Sequence, residues 1–379
     1  MKKPDFKNFF IKIIKPEDKI SSGFALVSKY RSAIMGFAAL WILFFHVCGT
    51  VITAEHPIAA WIEARIKRFG YGGVDIFFLL SGMGLTYAIS KSKLYVFYYR
   101  RFKRIILPFV AVALLKAHTD HWSVKWFFEC ISGKAFYVNS IYMFLWFVPA
   151  ILTLYLLFPL YWLGFRKTGG YFWTGTMILA WFFVILILRD RIRGDLFGFL
   201  NRIPVFMLGV LLGDLTKKHK GVPFRRRAWL PVLLTAALGF YMLELSNFKS
   251  YYILVPSSNC FLPTLLVAVS LPFLLAKALN ELDRHRFTCI IGHTIGGILK
   301  FFGLFSMELY CLQEWFAGQV KPKFEEAGWT PLKMNLVLFA EISALSFAGY
   351  LVFKYFWKLL EFICRKTGGL IKRAVKRSA

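Results

Sequence analysis

This sequence predicts an all-α integral-membrane protein: about ten transmembrane helices in a single bundle, with both termini cytoplasmic. Three observations carry that prediction. The 379-residue chain is 58% hydrophobic and 19% aromatic, with a mean hydropathy of +0.57, beyond what a soluble chain of this length carries. The apolar residues gather into runs of membrane-crossing length. The basic residues behind the net charge of +28 sit in the loops between those runs, mostly on alternate loops, which is the positive-inside pattern.

The runs lie at roughly 32–53, 71–89, 105–118, 139–162, 171–188, 202–215, 229–246, 252–278, 301–317 and 336–357. The third and sixth are short and read as tilted, re-entrant or extended into the interface. Three basic blocks, KSKLYVFYYRRFKR, KKHKGVPFRRR and RKTGGLIKRAVKR, fall on the face assigned to the cytoplasm. The organisation expected is a basic N-terminal segment (1–31), a membrane domain (32–357) and a basic tail (358–379). The pentapeptide RKTGG occurs at 166–170 and 365–369, in both places as a cationic helix end with a glycine stop. No cleavable signal peptide is expected, because no apolar core precedes residue 32. Charge confined to loops makes the bilayer the expected partner and gives no reason to expect nucleic acid. Six cysteines without paired spacing support neither a disulfide frame nor a zinc site, and His118-Thr-Asp-His121 lacks a further ligand set.

Ionisable groups inside apolar runs are costly and mark functional sites by default. His46 lies in YRSAIMGFAALWILFFHVCGTVIT and Asp75 in YGGVDIFFLLSGMGLTYAI. Counted from the cytoplasmic ends of their runs, both fall at a depth of about 21 Å. At one depth a carboxylate can fix the tautomer of an imidazole and stabilise the imidazolium formed when it takes a proton. The other reading of His46 is a packing histidine bonded to a backbone carbonyl. Arg31 precedes His46 by 15 residues and stands near the cytoplasmic interface, where it can meet an anionic ligand. Arg100, Arg101, Lys103 and Arg104 form a basic cluster beside Pro108; it reads as topological charge or, as a group, as a phosphate site.

The stretch from Arg31 to His46, followed by GGVDIFFLLSG and YYRRFKRIILP, resembles the opening of the integral-membrane acyltransferase 3 family. FLWFVPAILTLYLL (144–157), RIPVFMLGVLLG (202–213) and FSMELYCLQEW (305–315) continue the resemblance in order. It implies a ten-helix bacterial membrane enzyme, without a fused esterase-like domain, that moves an acyl group, usually acetyl from acetyl-CoA, to hydroxyls of cell-envelope glycans or lipids. Two positions depart from the family's pattern. Met35 stands where an arginine eleven residues before the histidine is usual. Gln313 ends the Tyr310-Cys-Leu-Gln313 run where a histidine is usual, and a carboxamide cannot serve as a general base.

The expected assignment is therefore His46 as general base and Asp75 as its orienting partner. Arg31, Arg100, Arg101 and Arg104 hold the phosphates of an acyl-CoA co-substrate; no bound cofactor or metal is expected. Arg202 reads as an acceptor contact or an interfacial anchor, and Trp146 as a pocket wall or a lipid-facing ring. Ser306, Tyr310 and Gln313 form one helical stripe, for substrate contact or interhelical hydrogen bonding. Glu308, an intramembrane carboxylate, should have a partner. The acceptor is expected to be a glycan or lipid-linked sugar at the bacterial cytoplasmic membrane. Two other readings are a transporter or flippase using His46 and Asp75 as a proton relay, and a non-catalytic partner in an envelope complex.

Overall fold

In the computed structural model, residues 23–377 are described except 54, 92, 140–143, 189–190, 193, 219–225 and 250–261. Most of the expected N-terminal segment, the middle of the KKHKGVPFRRR block and the start of the run expected at 252–278 thus lie outside the described residues. The described secondary structure is helical, with no strand among it.

In chain order the helices are α1 (Gly23–Lys29), α2 (Arg31–His46), α3 (Pro57–Arg68), α4 (Gly73–Ile89), α5 (Leu94–Thr119), α6 (Val124–Ile131), α7 (Phe147–Thr168) and α8 (Gly170–Leu188). There follow α9 (Gly194–Leu200), α10 (Ile203–Lys218), α11 (Trp229–Phe248), α12 (Leu262–Arg284), α13 (Cys289–Leu304), α14 (Ser306–Gln319), α15 (Lys321–Glu326) and α16 (Pro331–Arg377). Among the described residues seven helices are long and apolar enough to cross a membrane, or nine when α1–α2 and α13–α14 each count as one bent span. The run expected at 105–118 lies within α5, whose basic first half keeps it outside that set.

Two boundaries differ from the sequence reading in ways that move the site. The first run was expected to reach residue 53, but α2 stops at His46. The backbone beyond is held from outside the helix: Asn335 bonds both the N–H (2.8 Å) and the carbonyl (2.7 Å) of Gly49, and Glu63 accepts the N–H groups of Val51 and Ile52. With those groups already paired, the backbone after His46 needs no helical partners. The run at 301–317 straddles a break at Phe305, where the chain bends by 74° between α13 and α14. Just before that bend α13 crosses α2 with backbones nearly touching. A Cβ on Gly36 would fall 1.8 Å from the Leu299 carbonyl oxygen, so this crossing requires glycine. The chain then turns away and α14 runs beside α2.

The core is formed by α2, α4, α7, α10, α12 and α14, with Ile34, Ile42, Phe78, Leu80, Val148 and Leu309 fully buried. Around it α8, α11 and α16 show long apolar side chains outward, such as Phe172, Leu234 and Val352. That pattern suits lipid as the surrounding solvent. α16 runs without a break through residue 358, where the tail was expected to begin.

Candidate active site

Five helices line the cavity at which the arginines expected to hold phosphate come together. A cavity of about 700 Å³, counted to its open mouth, is lined by Arg31 and Met35 from α2, Phe77 and Ser81 from α4, Arg100, Arg101 and Arg104 from α5, and Ser306 and Tyr310 from α14, with α7 closing the side through Phe147, Ile151 and Tyr155. The lining is ordered by chemistry. On α2, α4, α7 and α14 the residue farthest from the mouth is Met35, Phe77, Phe147 or Tyr310, so the closed end is apolar and aromatic. The mouth carries the four guanidiniums.

Backbone carbonyls, not carboxylates, hold three of those guanidiniums. Arg31 Nη2 donates to the Leu80 carbonyl (3.1 Å), Arg101 to that of Gly84 (3.4 Å) and Arg104 to that of Leu304 (3.2 Å). Arg31 Nε is buried with no hydrogen-bond partner. Among the described residues none of the four makes an ion pair, whereas the neighbouring Lys103 is neutralised by Glu361 at 2.6 Å. Glu308, expected to have a partner, is buried and faces the charge of Arg104 without a direct contact. Guanidiniums without an ion pair among the described residues, gathered around one cavity, have a forked geometry that suits phosphate.

His46 and Asp75 do not meet as expected. Gly73, at the start of α4, sits so close to α2 that a Cβ there would lie 2.6 Å from the Ala38 carbonyl and 2.7 Å from the Ile42 side chain. That contact sets the register. His46 is a further turn outward and Asp75 about half a turn inward, so the two are offset by roughly 10 Å along the helix axes. The sequence count assumed that both helices start at one level, but α4 is shifted along α2.

The fully buried Asp75 carboxylate is instead held by Arg202, whose Nε stands 3.4 Å from Oδ2, and by the Thr264 hydroxyl, which donates to Oδ1 at 3.3 Å. Arg202 also donates to the Gly198 carbonyl (2.7 Å) and lies 5.0 Å over the Trp146 ring. Asp75, Arg202 and Trp146, read from the sequence as separate candidates, form one buried ionic centre joining α4, α10, α12 and the start of α7. The pairing had a sequence signal: a buried acid and a buried base in apolar runs should find each other.

His46 stands alone at the outer end of α2. Its ring meets Phe45 edge-on at 4.9 Å, and Lys321 at the start of α15 lies within electrostatic range. Among the described residues it makes no hydrogen bond or ion pair. Burial pushes the thiol of Cys48, in the following loop, up to about 11, so it stays protonated at neutral pH.

The stripe on α14 divides. Ser306 and Tyr310 line the cavity; Gln313 is fully buried one turn beyond them. A residue the sequence reading missed explains the position of Tyr310. Its hydroxyl donates to Glu314 Oε1 (3.0 Å), and Glu314 Oε2 accepts the backbone N–H of Leu145 (2.8 Å), a residue with φ of +59°. An intramembrane carboxylate four residues after a tyrosine was the available signal. Through these bonds Glu314 ties α14 to the start of α7, and so fixes the Phe147–Tyr310 pair (5.2 Å between ring centroids) that closes the cavity.

A family model described as an acyltransferase domain matches residues 33–360. No curated protein matches the chain, and no solved structure does.

Proposed function

We propose a function from the premise that this chain belongs to the acyltransferase-domain family and is a multi-pass membrane acyltransferase: it moves an acetyl or other small acyl group from acyl-CoA to a hydroxyl of a cell-envelope glycan or lipid-linked sugar. The observation that carries the reading is the cavity, with four guanidiniums at its mouth that make no ion pair among the described residues and an apolar closed end. An acyl-CoA has the matching shape, a polyanionic head on a long thin arm that ends in the reactive thioester. In this reading the mouth faces the cytoplasm across a bacterial cytoplasmic membrane, where CoA esters are available, and the positive-inside pattern supports that orientation. The family match gives no support to the transporter reading.

In this reading Arg31, Arg100, Arg101 and Arg104 hold the phosphates, and the arm extends along the seam between α2 and α14 toward His46. The rise from Arg31 to His46 is about 22 Å, so the arm must be extended and must displace the Phe147–Tyr310 closure. His46 removes the proton of the acceptor hydroxyl. The hydroxyl oxygen attacks the thioester carbonyl, the C–S bond breaks, and CoA leaves as the thiolate. Among the described residues no hydrogen bond or ion pair occupies the His46 ring. Asp75 and Arg202 act at a distance by fixing the helix ends around the passage, and the face of Trp146 is covered by Arg202. The acceptor approaches His46 from the outer side.

The test is thiol release from acetyl-CoA by the purified protein in nanodiscs, with and without candidate glycans. Acceptor-dependent release supports the reading. An absence of release with every hydroxyl acceptor, while the protein remains folded, would refute it.

A further inference from the structure

The geometry points to Gln313 as the residue that recognises an amide in the pantetheine arm of the donor, a contact that rests on the acyl-CoA reading above. The Gln313 side chain is fully buried, and neither its Oε1 nor its Nε2 has a hydrogen-bond partner. Its two stripe neighbours are committed elsewhere: the Ser306 hydroxyl to the Gly303 carbonyl (3.4 Å) and the Tyr310 hydroxyl to Glu314 (3.0 Å). Of the three, only Gln313 keeps a donor and an acceptor unused. A carboxamide buried in that state is destabilising unless something completes it.

Its position says what completes it. Gln313 lies one helical turn beyond Tyr310, just past the closure of the cavity. It is about 10 Å along α14 beyond Ser306 at the cavity wall, and eight residues, about 12 Å of helical rise, before Lys321 of α15, which lies within electrostatic range of His46. A donor with its phosphates at the arginines and its thioester at His46 therefore passes Gln313 with the middle of its arm. That part of an acyl-CoA carries secondary amides. A secondary amide offers one N–H and one carbonyl, the complement of a carboxamide, whereas a thioester or a phosphate offers acceptors only. Gln313 thus makes a reciprocal amide pair that selects for the arm, separately from the charge recognition at the mouth.

Gln313→Leu tests this in the full-length protein. Without donor, the variant should melt at or above the wild-type temperature, because it removes an unpaired buried polar group. Its KM for acetyl-CoA should rise roughly tenfold to a hundredfold, as when a polar contact with substrate is lost. With a donor analogue whose arm amides are replaced by esters, the wild type should lose a similar factor while the variant loses little more. Gln313→Met is the second variant, held to the same outcomes if the leucine protein does not fold. An unchanged KM for acetyl-CoA, or equal discrimination against the ester analogue by both proteins, would overturn the assignment. A wild type that releases no thiol refutes the acyl-CoA reading itself; normal wild-type turnover with an unchanged variant KM refutes only the role of Gln313.

Discussion

At the Arg31 end of the bundle, four guanidiniums surround a cavity and none is ion-paired among the described residues. Arg202, deeper in the bundle, is pressed between Asp75 and Trp146. The residue type is the same and the environments are opposite. A buried arginine neutralised by a carboxylate has its charge spent on joining helices, and removing either partner leaves an uncompensated ion. An arginine held only by backbone carbonyls keeps its charge for a ligand. The difference separates binding from architecture more sharply than burial does, since Arg31 and Arg202 both lie largely inside the protein.

The largest effect expected belongs to neither arginine group. His46→Ala should lower turnover by about 10²–10⁴-fold, the usual contribution of a general base, with normal expression and membrane insertion. A variant that keeps more than about a tenth of wild-type turnover would show that the base lies elsewhere.

Next comes the paired centre. Arg202→Met should destabilise the protein by about 3–5 kcal/mol, because Asp75 is left buried without its counter-charge. Adding Asp75→Asn should restore much of that stability, read as thermal midpoints in detergent. If the single variant melts like the wild type, the pair is not structural and the comparison fails.

The unpaired group should respond differently. An Arg31→Gln, Arg101→Gln double variant should keep its melting temperature and raise the KM for acetyl-CoA by roughly tenfold or more with a smaller change in kcat, as lost ground-state binding does. A fall in melting temperature with unchanged KM would place these arginines in the architectural class. The smallest effect is expected at Asn335→Ala. Loss of the two bonds to Gly49 should cost about 1–2 kcal/mol and loosen the loop after His46, seen as faster amide exchange at 47–52.

Much of this was legible in the sequence. Apolar length and loop charge identified a helical membrane protein, and Arg31, Arg100, Arg101 and Arg104, grouped in the sequence reading, do line one cavity although α2 and α5 are separated in sequence. What a run of residues does not contain is the axial register between helices. His46 and Asp75 looked level because each was counted from its own end, but the contact of Gly73 with Ala38 and Ile42 shifts α4 along α2. The end of α2 at His46 was hidden as well, since the apolar run continues while Glu63 and Asn335, the latter 286 residues from Gly49, take over the backbone. The Glu314 bond to Leu145, 169 residues away, is tertiary in the same sense, whereas its bond to Tyr310, one turn back on the same helix, was open to the sequence.

The central claim is that the arginine-lined cavity is the seat of a CoA ester, and equilibrium binding of CoA to the purified protein tests it most directly. Titrated into nanodisc-embedded wild type, CoA should bind, pantetheine without its phosphates should bind far more weakly, and salt should weaken the CoA interaction. The Arg31→Gln, Arg101→Gln double variant should lose most of the CoA affinity and little of the weak pantetheine affinity. Equal affinity of the two proteins for CoA would contradict the account.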